Sequence, residues 1–340
     1  PPPTPENYTQ VNSSAASDVY KRQQYKGLAE RPGRILKVAA LRDALESAAA
    51  ICPDAQTLRG MAVDILQKAS RSSRDRIARE VRHRPREAHR ARYDYAWLTD
   101  QIVGLVLDLA INHLHPRPNP TASERIAVLA VGGYGRGEMA PFSDVDLLFL
   151  TPYKQTAWGE SLIESVLYIL WDLKLKVGQA VRTVDECVRM GARDATIRTT
   201  LVENRYLWGD AELAETLNDR LWTELFSVTG PEYVELKLEE RAVRHARQGS
   251  SRYLLEPNVK EGKGGLRDLQ TLFWIAKYLN RVTAPQDLLD MGVFSAEEYR
   301  IFSDAAAFLW TTRVHMHLLA GRATEQLTFD TQVEVARALR

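Results

Sequence analysis

Asp144 and Asp146 stand two apart in an apolar run, "SDVDLLFLT" (Ser143 to Thr151), directly after a glycine-crowded stretch, "AVGGYGRGEMAPF". Side chains on a β-strand alternate between faces, so both carboxylates leave one face while Val145 enters the core. Like charges side by side repel, and burial raises their pKa values further. A divalent cation between them relieves that cost. Hard Mg²⁺, or Mn²⁺ in its place, suits the site, because such an ion is held by one or two carboxylates together with substrate phosphates.

The glycines supply the other half of the chemistry. Gly132 and Gly133 follow a short apolar strand, "RIAVLAV", and Gly135 and Gly137 keep the loop free of side chains. Backbone N–H groups of such a loop can approach a triphosphate closely. Arg136 and Ser143 offer further donors to phosphate oxygens. The loop lacks the GK[ST] ending of a P-loop, and it is not a G-x-G-x-x-G turn followed by a helix and a distant acid. A strand, a Gly-Gly loop and an Asp-x-Asp strand together make a polyphosphate–Mg²⁺ site.

The elements that position this site read as α+β: a small mixed β-sheet domain flanked by N-terminal and C-terminal helical regions. Residues 1–27 read as a polar tail, in which Ser13 to Gln23 has the look of a non-native sequence. Residues 28–95 are helical in pattern, residues 96–210 form the sheet-bearing domain, and residues 211–340 are mostly helical again. The basic stretch "RSSRDRIAREVRHRPREAHRAR" reads as a solvated helix face, without aromatic interleaving for base stacking. "ESLIESVLYILWDLKL" is an amphipathic helix and "KVGQAVRT" (Lys176 to Thr183) a third strand, which carries no carboxylate. Asp185, Glu186 and Glu203 are the nearby candidates for a third carboxylate, and the general base stays open.

A second motif, "EPNVKEGKGGLRDLQ" (Glu256 to Gln270), has two readings. Lys260, Lys263 and Arg267 could meet a triphosphate, with glycines permitting close approach. Alternatively, the glycines are a turn opening a helix from Leu266 to Leu279, whose apolar positions 266, 269, 272, 276 and 279 pack inward. His315 and His317, like His113 and His115, are two apart on a helix, so neither pair shares a metal. Packing or surface positions are expected for all four.

Composition bounds the rest. The 340 residues are 45% hydrophobic and 26% charged with a formal net charge of +1, which gives no global field toward nucleic acid or an anionic membrane. Cys52 and Cys187 form no disulfide framework or zinc spacing, which suits a reducing cytoplasm. The longest apolar helical stretch, Ile102 to Leu114, is too short to span a bilayer. A cytoplasmic protein without nucleic-acid or membrane partners is the expectation.

The glycine loop followed by Asp-x-Asp resembles the DNA polymerase β-type nucleotidyltransferase superfamily. With "LEPNVKEGKGGLRDLQTLFWIAKY", "LVENRYLWGD" and "LTFDTQVEVARAL", the chain from about Arg34 onward is similar to the bacterial PII uridylyltransferase/uridylyl-removing enzyme family. The resemblance implies transfer of UMP from UTP to a tyrosine of the PII signalling protein, with pyrophosphate released. It implies Asp144 and Asp146 as catalytic metal ligands, and Gly132, Gly133, Arg136, Ser143, Lys260, Lys263 and Arg267 around the nucleotide. In that family a histidine is expected where Gln179 stands. The family's HD-type phosphohydrolase and ACT domains have no counterpart here, so uridylyl removal is not expected of this chain. Two alternatives stay open: adenylyl transfer of the glutamine synthetase-modifying type, and a non-catalytic fragment that binds PII or nucleotide.

Overall fold

The computed structural model describes residues 29–117, 121–249, 254–282 and 285–340; the tail expected over residues 1–27 lies outside them. After a single helical turn at Pro32–Ile35 come the long helices α1 (Val38–Ile51), α2 (Ala55–His83) and α3 (Ala91–Leu109). Asp54 opens α2 by accepting the Thr57 N–H at 2.8 Å, which satisfies one of the donors a helix start leaves bare. Along α2, Leu58, Ala62, Leu66, Ile77 and Val81 form the buried stripe, and the arginines of the basic stretch mostly lie on its solvated side. Helix α3 is buried nearly all round, from Tyr95 to Leu109, as a helix at the centre of a core must be. The boundary expected between residues 95 and 96 therefore falls inside this one helix.

Four strands follow: β1 (Ala127–Ala130), β2 (Val145–Thr151), β3 (Val177–Thr183) and β4 (Arg205–Gly209), in the order β3-β2-β1-β4. Strand β1 pairs antiparallel with both β2 and β4, while β2 and β3 are parallel. A parallel pair needs a crossover, and helix α4 (Ala157–Asp172) provides it. Strand alternation divides the sheet between two cores. Val128, Ala130, Val145, Leu147 and Phe149 pack with α3 and α4. Ala127, Leu129, Leu148 and Leu150 pack with α5 (Val184–Arg193), α6 (Ala195–Val202) and α7 (Ala211–Leu221).

The C-terminal region is built from α8 (Gly230–Arg247), α9 (Leu266–Asn280), α10 (Ala296–Ala320) and α11 (Phe329–Ala338). Tyr233 of α8 and Tyr278 of α9 stack with centroids 3.9 Å apart. The inward face of α9 differs from expectation: Leu272 and Leu279 are exposed, while Gln270, Phe273, Trp274 and Tyr278 are buried. The helix is wedged, with one flank packed on α8 and another facing a polar pocket, so hydrophobicity alone misassigns its faces. Helix α10 returns to the N-terminal region, where His315 Nε2 donates to the Pro85 carbonyl at 2.9 Å.

A buried ion pair joins helix to sheet. Arg205, at the start of β4, meets both carboxylate oxygens of Asp100 on α3, at 2.9 and 3.0 Å. The Asp100 side chain is 0% exposed and that of Arg205 is 11%. Removing one member of a buried pair strands the other charge. Asp100→Ala is accordingly expected to lower the unfolding free energy by ~3–5 kcal/mol, read as a shifted urea midpoint with an unchanged slope.

Candidate active site

The site is assembled at the end of the sheet where β1 stops. The Val131 N–H still donates to the Asp146 carbonyl at 3.0 Å, and the chain then turns through a single helical turn, Gly132–Gly135. This turn is pressed against the residues that precede β4. A Cβ on Gly135 would sit 1.7 Å from the Glu203 carbonyl oxygen, so no other residue fits there. Arg205 fills the space beneath, donating to the Gly135 and Tyr134 carbonyls at 3.3 and 3.2 Å.

Asp146 is the second residue of β2, and Asp144 lies one residue ahead of the strand rather than on it. Both still line one pocket with Gly132, Gly133 and Ser143. Asp144 is exposed and Asp146 half-buried. Burial, and after it the neighbouring Asp144, pushes the Asp146 carboxyl above its usual range, and Lys260 pulls it partly back. Ser143 Oγ accepts the Ala140 N–H at 2.9 Å, which leaves the hydroxyl proton available for another acceptor.

Strand β3 explains why no third carboxylate comes from the sheet. Gly178 lies in register with Asp146, and a Cβ on Gly178 would stand 2.5 Å from Asp146 Oδ1. Gln179 is in register with Leu147, which puts it on the opposite face of the sheet. Asp185 pairs with Arg220 on the surface, and Glu186 closes the capping box of α5 with Thr183.

Glu203 does reach the pocket wall, but as a partner of Arg136. Arg136, expected as a nucleotide donor, lines the pocket with its guanidinium committed elsewhere: to Glu203 and, at 3.2 Å, to Glu138. Glu138 in turn accepts from Arg92 Nε at 3.0 Å. This chain of charges braces the glycine turn from behind. Burial keeps the Glu203 carboxyl above its ordinary range even against Arg136.

The second motif closes the pocket from the helical side. Its glycines are steric: a Cβ on Gly265 would meet the carbonyls of Gly262, Lys260 and Val259, each at 2.9 Å. Asn258 Oδ1 accepts the N–H groups of Lys260 and Glu261 at 3.0 and 2.7 Å, fixing the turn. From it Lys260 and Arg267 reach the pocket, whereas Lys263 is exposed and outside the lining. The cavity measures about 750 Å³, within the range of small-molecule sites. Its wall includes Lys237, Arg244, Arg247 and Arg313, which sequence reasoning missed because such residues on helices are ordinarily solvated. His317, expected as a packing or surface residue, also lines it, fully buried 3.6 Å from Glu325.

The steric reading separates two neighbouring glycines. Gly135→Ala meets backbone and is expected to cost about 3 kcal/mol or more. Gly133→Ala, whose Cβ would meet Arg136 Nη2 at an ordinary 3.5 Å, is expected to stay within about 1 kcal/mol of wild type. Paired denaturant titrations check the contrast.

Comparison with known proteins follows the same division. Residues 119–207 match the family described as nucleotidyltransferase domain, and residues 232–340 match GlnD PII-uridylyltransferase. The chain is 54% identical over 314 residues to the bifunctional uridylyltransferase/uridylyl-removing enzyme of Cereibacter sphaeroides, an alignment covering 92% of this chain and 34% of that protein. It is 56% identical over 292 residues to that of Ruegeria pomeroyi, covering 86% and 32% respectively. For the enzyme of Rhodospirillum rubrum the figures are 47% over 306 residues, covering 90% and 33%. The chain thus spans about a third of the length of the curated relatives it matches. With its α+β sheet domain and helical flanks, the chain carries a nucleotidyltransferase domain and a GlnD PII-uridylyltransferase segment, and over most of its length it is similar to part of the bifunctional uridylyltransferase/uridylyl-removing enzymes.

Proposed function

We propose that this chain transfers UMP from UTP to a tyrosine hydroxyl of the PII signalling protein in a Mg²⁺-dependent reaction that releases pyrophosphate. One observation carries the reading: Asp146 on β2, Asp144 just ahead of it, and Lys260 and Arg267 from the helical region line a single pocket beside the glycine turn. The relatives' names support uridylyl as the group moved, and the matched family's description supports PII as the acceptor.

The donor set fits a hard divalent cation. Among the described residues no group of three or more His, Cys, Asp or Glu could hold a metal, so the ion would rest on Asp144 and Asp146 with substrate oxygens completing its shell. Asp146, half-buried beside a like charge, is the kind of carboxylate that a cation stabilises. A divalent ion held by Asp144 and Asp146 would supply Lewis-acid stabilisation of phosphate oxygens. The chain's own residues do the remainder. Gly132 and Gly133 keep side chains away from the phosphates. The Ser143 hydroxyl, Lys260 and Arg267 meet oxygens that gain charge in a loose phosphoryl-type transition state.

A cytoplasmic setting without nucleic-acid or membrane partners is part of the same proposal. Cys52 and Cys187 are free, and no helix among the described residues is long and apolar enough to cross a membrane.

Intact-mass spectrometry of PII after incubation with this chain, Mg²⁺ and either UTP or ATP tests the reading. A gain of one UMP only with UTP, lost in Asp144→Ala and Asp146→Ala, is expected. A gain of AMP would instead make it an adenylyltransferase, and no gain despite nucleotide binding would make it a binding fragment.

A stability signature accompanies the metal site. The folded-state pKa of Asp146 is raised, so its ionised form costs stability at pH 7. That cost fades as pH falls toward the ordinary carboxylate value of about 4. Asp146→Asn is expected to abolish transfer yet raise stability at pH 7 without metal. The gain should shrink as pH is lowered, which thermal melts across pH will show.

A further inference from the structure

The pocket wall carries many charges and few neutral hydrogen-bond donors, yet a nucleobase is read by hydrogen bonds to its edge. The neutral donors separate by what they already bond. Thr199 and Thr200 donate their hydroxyl protons to the Ala195 and Thr196 carbonyls, at 2.8 and 2.9 Å. Thr196 is exposed at the start of α6, and Ser143 stands beside Asp144 at the metal end. The Tyr134 hydroxyl and the Trp274 indole N–H are sealed from the pocket. Gln270, one helical turn before Trp274 on α9, differs from all of these.

Gln270 is 8% exposed, and its side chain makes one hydrogen bond, in which Arg267 Nη1 donates to Oε1 at 2.8 Å. A guanidinium only donates, so the amide cannot be turned the other way. Arg267 is held in turn by Glu261, at 3.0 and 3.4 Å. The Gln270 Nε2 group therefore points away from Arg267 and has no partner among the described residues. It opens onto the pocket, which Gln270 lines beside Arg267 and Trp274. A donor left bare in so buried a side chain is costly until a ligand supplies the acceptor. This wall continues from the glycine turn: the Arg136 guanidinium lies 5.9 Å from the Trp274 ring, and its Nη2 would stand 3.5 Å from a Cβ on Gly133.

We infer that the Gln270 amide donates to a carbonyl oxygen of the nucleobase and so selects uracil; this rests on the uridylyl reading above. Phosphate oxygens are matched by the cations of the pocket, where charge strengthens each hydrogen bond. A neutral N–H is left for a neutral acceptor. Uracil offers two carbonyls, O2 and O4, whereas cytosine has an amino group in place of O4 and adenine has an amino group and no carbonyl. Glutamine reads adenine through two bonds, one of them accepted from that amino group. Gln270 is not free to make the pair, because its Oε1 faces Arg267. Its orientation, set by Arg267 and Glu261, thus favours uridylyl over adenylyl transfer.

The test measures calorimetric affinities for UTP, CTP and ATP with Mg²⁺ present, alongside the mass gained by PII, in wild type, Gln270→Glu and Gln270→Met. Glutamate keeps an acceptor for Arg267 but puts a second acceptor where the bare donor was. Its added charge weakens every triphosphate alike, so the quantity read is the ratio of UTP to ATP affinity. Wild type is expected to favour UTP, and the ratio to fall by about 10- to 100-fold in Gln270→Glu. Gln270→Met removes the donor without adding charge and is expected to lower the ratio as well. A gain for CTP relative to UTP in Gln270→Glu places the contact at O4, and an equal loss for both pyrimidines places it at O2. A ratio unchanged in both variants, or a wild type that binds UTP and ATP equally, overturns the assignment. UTP-selective binding that depends on Gln270, with no UMP gained by PII, overturns the transfer reading alone.

Discussion

The guanidinium of Arg205 holds together three parts that would otherwise have no reason to meet. It is bonded to Asp100 on the central helix α3, it begins strand β4, and it donates to two carbonyls of the glycine turn. A buried ion pair is seldom worth more than the apolar packing it displaces, but it specifies which surfaces face each other. Here it also satisfies backbone oxygens that the turn presents to the interior, where an unmet acceptor would be costly. The glycine turn can then lie against the Glu203 backbone, and Val131 can pair with Asp146, so that turn and carboxylates share one pocket.

Charge is distributed in this pocket in a way that separates structure from chemistry. Its glutamates are engaged by arginines or lysines, and the longest run of such pairs, Arg92–Glu138–Arg136–Glu203, lies behind the glycine turn. Asp144 and Asp146 have no such cation within ion-pair distance among the described residues, and they repel each other instead. In a half-buried setting that is an unfavourable state of the protein by itself, made favourable by a divalent ion and a polyanion. The cations opposite, Lys260, Arg267 and Arg313, come from a different part of the chain. The pocket is therefore matched to a ligand that brings both a metal and negative charge.

Much of this was legible in residue order. The strand before the glycines, the Asp-x-Asp strand, the amphipathic crossover helix and the third strand all stand where their periodicities predict. Gly-Gly next to paired aspartates is readable because few other needs would put two carboxylates in an apolar run. The misreadings share a cause. Arg136 looks like a donor to phosphate because it lies in the loop, yet its direction depends on Glu138 and Glu203, the second of which is 67 residues away. Lys263 and Lys260 are equivalent in sequence, but Asn258 and the tight glycine contacts turn only Lys260 inward. The inner face of α9 was misjudged because its polar flank is buried by a pocket and not by solvent.

The sequence by itself determined the local chemistry: which residues are carboxylates, where side chains are absent, and which segments have the period of a strand or a helix. Those properties follow from spacing of a few residues, over which backbone geometry is nearly fixed. Tertiary structure alone decided which charges neutralise each other and which remain for a ligand. Glu203 meets Arg136 across 67 residues of chain, and Lys260 shares a pocket with Asp146, only after distant segments have packed around α3 and the sheet. Electrostatic roles depend on distance and burial, and neither is a property of residue order.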